Sequence, residues 1–463
     1  MPCQDTEMPK SPRQVYACAT CGAQYPRWTG RCSECGAWGS VAEGSEAEPD
    51  ERPSRLSGAK KGVVQPFASL KAQNNGPMQS SGLADIDRVL GGGFVTGSVT
   101  LVGGEPGIGK STLLAQVALN QSAAGKRVLY VTGEESPSQV ALRLQRMISK
   151  VPPSLAFLDA TDASVIAGTI QDEKPELTIV DSVQSLRVQD IPGEAGNISQ
   201  VKASAAVVTE AAKRANVPVV LVGQVNKEGD IAGPRLLEHL VDTVLMLEGE
   251  PQHQFRILRA IKHRFGPVDD VAVYRMKETG LEPVLDPSAE LLRDRPNAVS
   301  GSVVTCLLEG HRPLLLELQA LVSPAGYGTP IRRAAGVDTG RLGLLLAVLA
   351  RRAGVNALDK DVYANAAGGL KAKEPAVDLA LCLAIASAVS DIAVPSKTAV
   401  FGEIGLGGEV RPVALPDMRI KEAERHGFTT ILLPKGSEYR DADMARIIEV
   451  STLREAIDKA FGG

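Results

Sequence analysis

The chain has 463 residues, of which 44% are hydrophobic and 22% charged, with a net charge of −4. That length suits two or three domains with ample cores, and the composition is that of a soluble globular protein. Such a balance excludes nucleic-acid binding through bulk charge, so any such surface must be local. The opening MPCQDTEMPKSPR is polar and lacks the apolar stretch of a secretory signal. Residues 377–390 come closest to a membrane span, but Asp378 interrupts them and their length suits a buried helix. A cytoplasmic protein without membrane contact is expected.

Residues 14–40 form a small cysteine module. Cys18 and Cys21 make one pair, Cys32 and Cys35 a second, each with two intervening residues. Each pair puts two thiolates on one side of a tight turn, and two pairs close a tetrahedral Zn²⁺ site. Gly22 and Gly36 follow the second cysteine of each pair, where such turns need a permissive residue. Cys3, Cys306 and Cys382 are scattered. Trp28 and Trp38 lie in this module with Tyr16 and Tyr25. They either stack on bases or a partner protein, or pack a module too small for its own core. Residues 41–75 are rich in Glu, Pro, Ser, Gly and Lys and read as a flexible linker.

From 76 to 285 apolar strands alternate with helical segments, which argues a mostly parallel α/β sheet. Predicted strands are Val99–Gly103, Val128–Thr132, Leu177–Asp181, Val217–Val222, Thr243–Leu247 and Phe255–Ile261, the last two as an antiparallel edge. Between the first strand and a helix over Thr112–Asn120 stands Gly104-Glu105-Pro106-Gly107-Ile108-Gly109-Lys110-Ser111. This is a P-loop in its required strand–loop–helix context. Its glycines let backbone N–H groups surround phosphate oxygens, and the helix dipole points at the same phosphates. Lys110 can reach the β/γ-phosphates, Ser111 can ligate Mg²⁺, and Thr112 completes the nucleotide-binding set. The chain is therefore expected to bind and hydrolyse ATP.

Leu177-Thr-Ile-Val-Asp181 ends an apolar strand in a carboxylate, where Asp181 would hold Mg²⁺. Glu134, with Glu135 second, follows another strand and can orient water against the γ-phosphate; the bland reading is an acidic pair capping the next helix. Gln224 ends a strand as a γ-phosphate sensor or as an amide tying down a loop. Long polar loops, 187–200 and 226–235, leave strands on the nucleotide side.

From 286 to 463 strands are predicted near Ser302–Leu308 and Leu314–Leu321, helices over Gly340–Ala353 and Ala376–Ser390, and a glycine-rich turn after Phe401.

The order GEPGIGKS, VTGEES, LTIVDS, LVGQVNKEGDIAGPRLLEHLVDTVL and KHRFG resembles the RadA (Sms) family of bacterial recombination ATPases across nearly the whole chain. The wider RecA-like group is a looser match. The family's Lys-Asn-Arg-Phe-Gly is here Lys262-His263-Arg264-Phe265-Gly266. The resemblance implies that this motif contacts nucleotide and couples hydrolysis to DNA work in a ring. Lys262 and Arg264 alternate on a strand end and could offer two cations to a neighbour's γ-phosphate, with His263 facing away; a solvated basic rim is the alternative.

The glycine-rich Phe401–Pro412, Asn365–Gly369 and Pro375–Asp378 resemble the proteolytic domain of Lon protease. That chemistry uses a serine–lysine dyad, and here the serine position is Ala376 and the lysine position Asp417 or a neighbour. The domain thus reads as non-proteolytic, a scaffold for ring assembly. Arg332, Arg333, Arg341, Arg351 and Arg352 either form a local DNA surface or are solvated helix arginines.

Together these readings give an α/β chain: an N-terminal four-cysteine zinc module, a RecA-like P-loop ATPase core, and a C-terminal α+β Lon-protease-like domain. The resemblance implies a hexameric motor on single-stranded and branched DNA that promotes branch migration with the RecA recombinase. The competing expectation is an ATP-switched recombinase mediator that binds DNA without translocating.

Overall fold

The computed structural model describes residues 15–20, 23–25, 27–44, 78–224, 237–249, 255–326, 328–440 and 442–462. Cys21, Gly22, the loop 226–235 and most of the stretch read as a linker lie outside these residues.

The N-terminal module is a three-stranded antiparallel sheet of β1 (Val15–Cys18), β2 (Gln24–Tyr25) and β3 (Val41–Gly44), in the order β2-β1-β3. β3 extends the module into the segment read as linker, because Val41 is buried against Cys18 and Cys32.

The nucleotide core holds β4 (Val99–Gly103), β5 (Val128–Thr132), β6 (Leu155–Asp159), β7 (Leu177–Asp181) and β8 (Val219–Val222). It continues through β9 (Thr243–Glu248), β10 (Phe255–His263), β11 (Val271–Lys277) and β12 (Gly280–Pro283). The nine strands run β12-β11-β10-β9-β4-β8-β7-β5-β6. Strands β9 through β6 in that order are parallel, and β10, β11 and β12 add antiparallel.

β9 is therefore interior, parallel to β4 on one side, and the antiparallel edge expected there lies farther out. β4 and β5 are buried along their whole length, so they read as continuous apolar runs. Helices α1 (Ala84–Val89), α2 (Lys110–Ala123) and α3 (Pro137–Gln145) pack into the core on one face. Helices α4 (Ala163–Glu173) and α5 (Ile198–Ala215) cover the other.

On β10 and β11 the period-2 alternation divides two cores. Leu258, Ala260, Ala272 and Tyr274 pack with the nucleotide core, while Phe255, Ile257, Val271 and Val273 join the C-terminal core.

The C-terminal region is a seven-stranded mixed sheet. Its long hairpin is β13 (Ser302–Glu309) and β14 (Arg312–Pro324), followed by β15 (Arg332–Ala335) and β16 (Lys360–Ala366). β17 (Thr398–Val400), β20 (Thr430–Pro434) and β21 (Arg446–Val450) complete it. The glycine-rich turn forms a separate hairpin of β18 (Glu403–Ile404) and β19 (Val410–Arg411). The helix Asp378–Ser390 is buried from Asp378 through Ser387, which explains its membrane-like hydropathy. Among the described residues no helix is long and apolar enough to cross a membrane.

Candidate nucleotide site

The P-loop lies where β4 meets α2, at the carboxyl end of the parallel strands. Gly109 takes a left-handed φ of 112° and caps α2. Gly104 cannot carry a side chain, since its Cβ would meet the Leu247 carbonyl oxygen at 2.5 Å. At Gly107 an added Cβ meets nothing within 4 Å, so the loop opens outward there as a phosphate cradle requires. Ile108 is buried and anchors the loop, while Glu105, Pro106, Ser111 and Thr112 lie nearer the surface.

Lys110 Nζ donates to the carbonyls of Gly104 at 2.8 Å and Glu105 at 2.9 Å. Burial lowers its pKa, and the carboxylates of Asp181 and Glu134 oppose that shift. All three side chains thus share one electrostatic site. A hydroxyl, a carboxylate and backbone donors around an ammonium form a set that fits Mg²⁺ and a triphosphate.

Glu134 and Glu135 diverge in role. Glu134 Oε1 accepts from the Ser182 hydroxyl at the end of β7. Glu135 pairs with Arg143 of α3. The turn between them and α3 is fixed by a capping box, Ser136 with Gln139. Asp181 Oδ2 accepts from the Tyr130 hydroxyl at 2.8 Å. Burial foremost, and the Asp181 charge next, push the Tyr130 pKa well above its usual range. Tyr130 stands in the predicted strand Val128–Thr132 and Ser182 closes the motif LTIVDS, and neither carries a role in the sequence reading. The signal that could have found them is a hydroxyl in an otherwise apolar strand, which needs a partner when buried.

Gln224 lies two residues past the end of β8, and its backbone carbonyl accepts from Gln184 at 3.4 Å. The 187–200 loop is pinned by the buried Gln200, which donates to the carbonyls of Val188 at 3.2 Å and Ile191 at 2.5 Å.

The KHRFG strand end carries a β-bulge between Ala260 and Lys262. Lys262 Nζ donates to the carbonyls of Glu238 and, at 2.9 Å, Val241. Arg264, half exposed, reaches Asp242 Oδ1 at 3.3 Å. His263 is held by Thr243 Oγ1 at 2.9 Å and the Leu90 carbonyl at 3.1 Å. Burial lowers its pKa.

In the zinc module Cys18 and Cys32 are buried, and the Sγ atoms of Cys18, Cys32 and Cys35 lie within 4.8 Å of one another. Convergent soft thiolates suit tetrahedral Zn²⁺. Gly36 takes φ 74° in the second turn, as anticipated. Tyr16 and Tyr25 pack against the module's small core, whereas Trp28 and Trp38 are 60% and 78% exposed, Trp28 donating its indole N–H to the Val41 carbonyl at 2.9 Å and Arg31 lying over the Trp38 ring at 5.7 Å.

In the C-terminal domain Ala376 is buried, and Asp417 accepts from the Arg440 backbone N–H at 2.8 Å. Arg419, 0% exposed, pairs with Glu374 and donates to the Ala414 carbonyl at 3.0 Å. Arg341 is held by the buried Asp378 through Nε at 3.0 Å and Nη2. Arg332 donates to the Leu358 carbonyl at 3.1 Å. Arg333, Arg351 and Arg352 remain exposed.

Comparison with known proteins agrees with this geometry. Residues 80–230 match the family model described as AAA domain, 16–43 that described as Rubredoxin metal binding domain, and 348–437 that described as Subunit ChlI of Mg-chelatase. The chain is 42% identical to the DNA repair protein RadA of Bacillus subtilis, over 97% of this chain and 99% of that protein. It is 43% identical to that of Aquifex aeolicus, over 97% and 99%. Against that of Escherichia coli it is 42% identical, again over 97% and 99%.

The chain belongs to the RadA family. This RadA-family chain accordingly has an ATP-hydrolase core, and its cofactors are ATP, Mg²⁺ and Zn²⁺. Its fold is the expected one: zinc ribbon, P-loop core and Lon-like C-terminal region.

Proposed function

We propose that this chain is a DNA-dependent ATPase of recombination and DNA repair, a ring-shaped motor on single-stranded DNA that processes branched intermediates. The observation that carries the reading is the placement of Asp181 and Glu134 at the carboxyl ends of the neighbouring strands β7 and β5, joined through Ser182 and within electrostatic reach of the P-loop Lys110. The names of its relatives supply the DNA repair context.

Ser111 and Asp181 would hold Mg²⁺, which supplies charge neutralisation at the phosphates. Lys110 and the backbone N–H groups of residues 104–112 bind and orient the β- and γ-phosphates. Glu134, steadied by Ser182, aligns the attacking water and takes its proton. Gln224 senses the γ-phosphate at the end of β8. Lys262 and Arg264 act across a subunit boundary in a hexamer, after release from the 238–242 segment that holds them here. The zinc module and its exposed tryptophans contact the RecA recombinase or DNA. With Ala376 in the nucleophile position, the C-terminal domain serves assembly and not proteolysis. The site of action is the cytoplasm.

A second reading, an ATP-switched mediator that does not translocate, is favoured by the exposure of Trp28 and Trp38, which suits partner docking. The deciding experiment measures ATP turnover with and without single-stranded DNA, for the wild type and Lys110→Ala, across a salt series, beside fork unwinding. The motor reading expects DNA-stimulated turnover that vanishes in the variant, and DNA binding that weakens steeply with salt. Turnover indifferent to DNA would sink it. DNA-stimulated turnover without unwinding would leave the mediator.

A further inference from the structure

Two carboxylates at one nucleotide site must do different work, and each is held by a hydroxyl from the other's strand. β5 and β7 are parallel neighbours, with Thr132 opposite Asp181. From β5 the Tyr130 hydroxyl crosses to β7 and donates to Asp181 Oδ2 at 2.8 Å. From the end of β7 the Ser182 hydroxyl crosses back and donates to Glu134 Oε1.

Both donors are buried, each 1% exposed. The Tyr130 ring is fixed against Phe157 at a centroid distance of 5.8 Å. Phenylalanine would fill this core space equally well, so the hydroxyl is accounted for by its bond to Asp181 and not by packing. Ser182 follows the metal-binding carboxylate directly, yet its hydroxyl turns to the other acid.

We propose that Tyr130 and Ser182 are positioning residues with separate duties. Tyr130 fixes the carboxylate that receives the metal, and Ser182 fixes the carboxylate that aligns the attacking water. The inference rests on the assignment of Asp181 to Mg²⁺ and Glu134 to water. Groups one step removed from a metal ligand or a base act by locking its orientation, and their loss weakens metal affinity or turnover by about ten- to a hundredfold. The crossed arrangement makes the two losses separable.

The test uses the full chain carrying Tyr130→Phe, Ser182→Ala or Ser182→Thr. Binding of Mn²⁺ in the presence of a non-hydrolysable ATP analogue is followed by electron paramagnetic resonance, and kcat and KM for ATP are measured at saturating Mg²⁺. Tyr130→Phe should weaken Mn²⁺ binding about tenfold and lower kcat at saturating Mg²⁺ by far less than Ser182→Ala does. Ser182→Ala should lower kcat about tenfold with Mn²⁺ affinity and KM unchanged. Ser182→Thr, which keeps the hydroxyl, should recover most of kcat.

Loss of metal affinity and kcat together in both variants, or in neither, would overturn the division of labour. Wild-type turnover in Glu134→Gln, or wild-type Mn²⁺ affinity in Asp181→Asn, would instead overturn the assignment beneath it. Thermal midpoints of all variants separate these outcomes from loss of the fold.

Discussion

The nucleotide core and the C-terminal domain are built alike and equipped differently. Each is a twisted sheet flanked by helices with a glycine-rich turn beside a buried helix. In the core, the turn is followed by Lys110 and Ser111, and two acids are each held in place by a hydroxyl. In the C-terminal domain the corresponding ground is closed. Ala376 offers no nucleophile, Asp417 is engaged by Arg440, and Arg419 sits in full burial against Glu374. On the proposed reading the C-terminal domain keeps its shape without peptidase chemistry, because apolar positions hold a fold while reactivity resides in a few polar residues.

The largest effect expected in a test of this contrast is at Arg419. Arg419→Met removes the buried cation and leaves Glu374 with the Leu308 backbone N–H at 2.8 Å in place of its guanidinium, and should cost about 3 kcal/mol of stability. Urea unfolding followed by fluorescence and by proteolysis of the C-terminal domain would measure it. ATP turnover at low temperature should persist, and its loss would break the picture of two separable cores.

A smaller effect is expected at His263. Burial holds its pKa below the usual 6.5. The stability contributed by the neutral ring is complete above that unfolded value and is lost as pH falls through the lower folded one. His263→Asn should therefore flatten the decline in urea midpoint between about pH 7 and 5 relative to the wild type. Parallel declines in both proteins would mean that the ring's contacts to Thr243 and Leu90 carry no such linkage.

The smallest effect is expected from Ala376→Ser. Restoring a hydroxyl supplies no base, because a carboxylate at Asp417 is not the neutral amine that the dyad requires. Casein should remain intact on prolonged incubation. Cleavage that rises with the serine would show that the domain had kept its second catalytic group elsewhere.

Elements whose signal is local were legible in the amino-acid order alone. Val99–Gly103, Val128–Thr132 and Leu177–Asp181 are strands with the bounds read from the chain, because fully buried parallel strands are unbroken apolar runs. The P-loop was legible for the same reason: its glycines, lysine and serine act within one turn of backbone. The half-exposed β6 was missed because Leu155-Ala-Phe-Leu-Asp159 alternates weakly. β11 and β12 were also missed, and with them the outward extension that moves β10 off the edge of the nucleotide sheet; β16 was missed in the C-terminal sheet.

Which polar groups meet was not legible in the amino-acid order and follows from the fold. Nothing local to Arg341 announces Asp378, and nothing in the strand patterns announces that Tyr130 reaches Asp181 or that Ser182 reaches Glu134. Periodicity records which face of an element is buried, whereas the partner of a buried hydroxyl, carboxylate or guanidinium is set by sheet order, and sheet order joins residues dozens of positions apart.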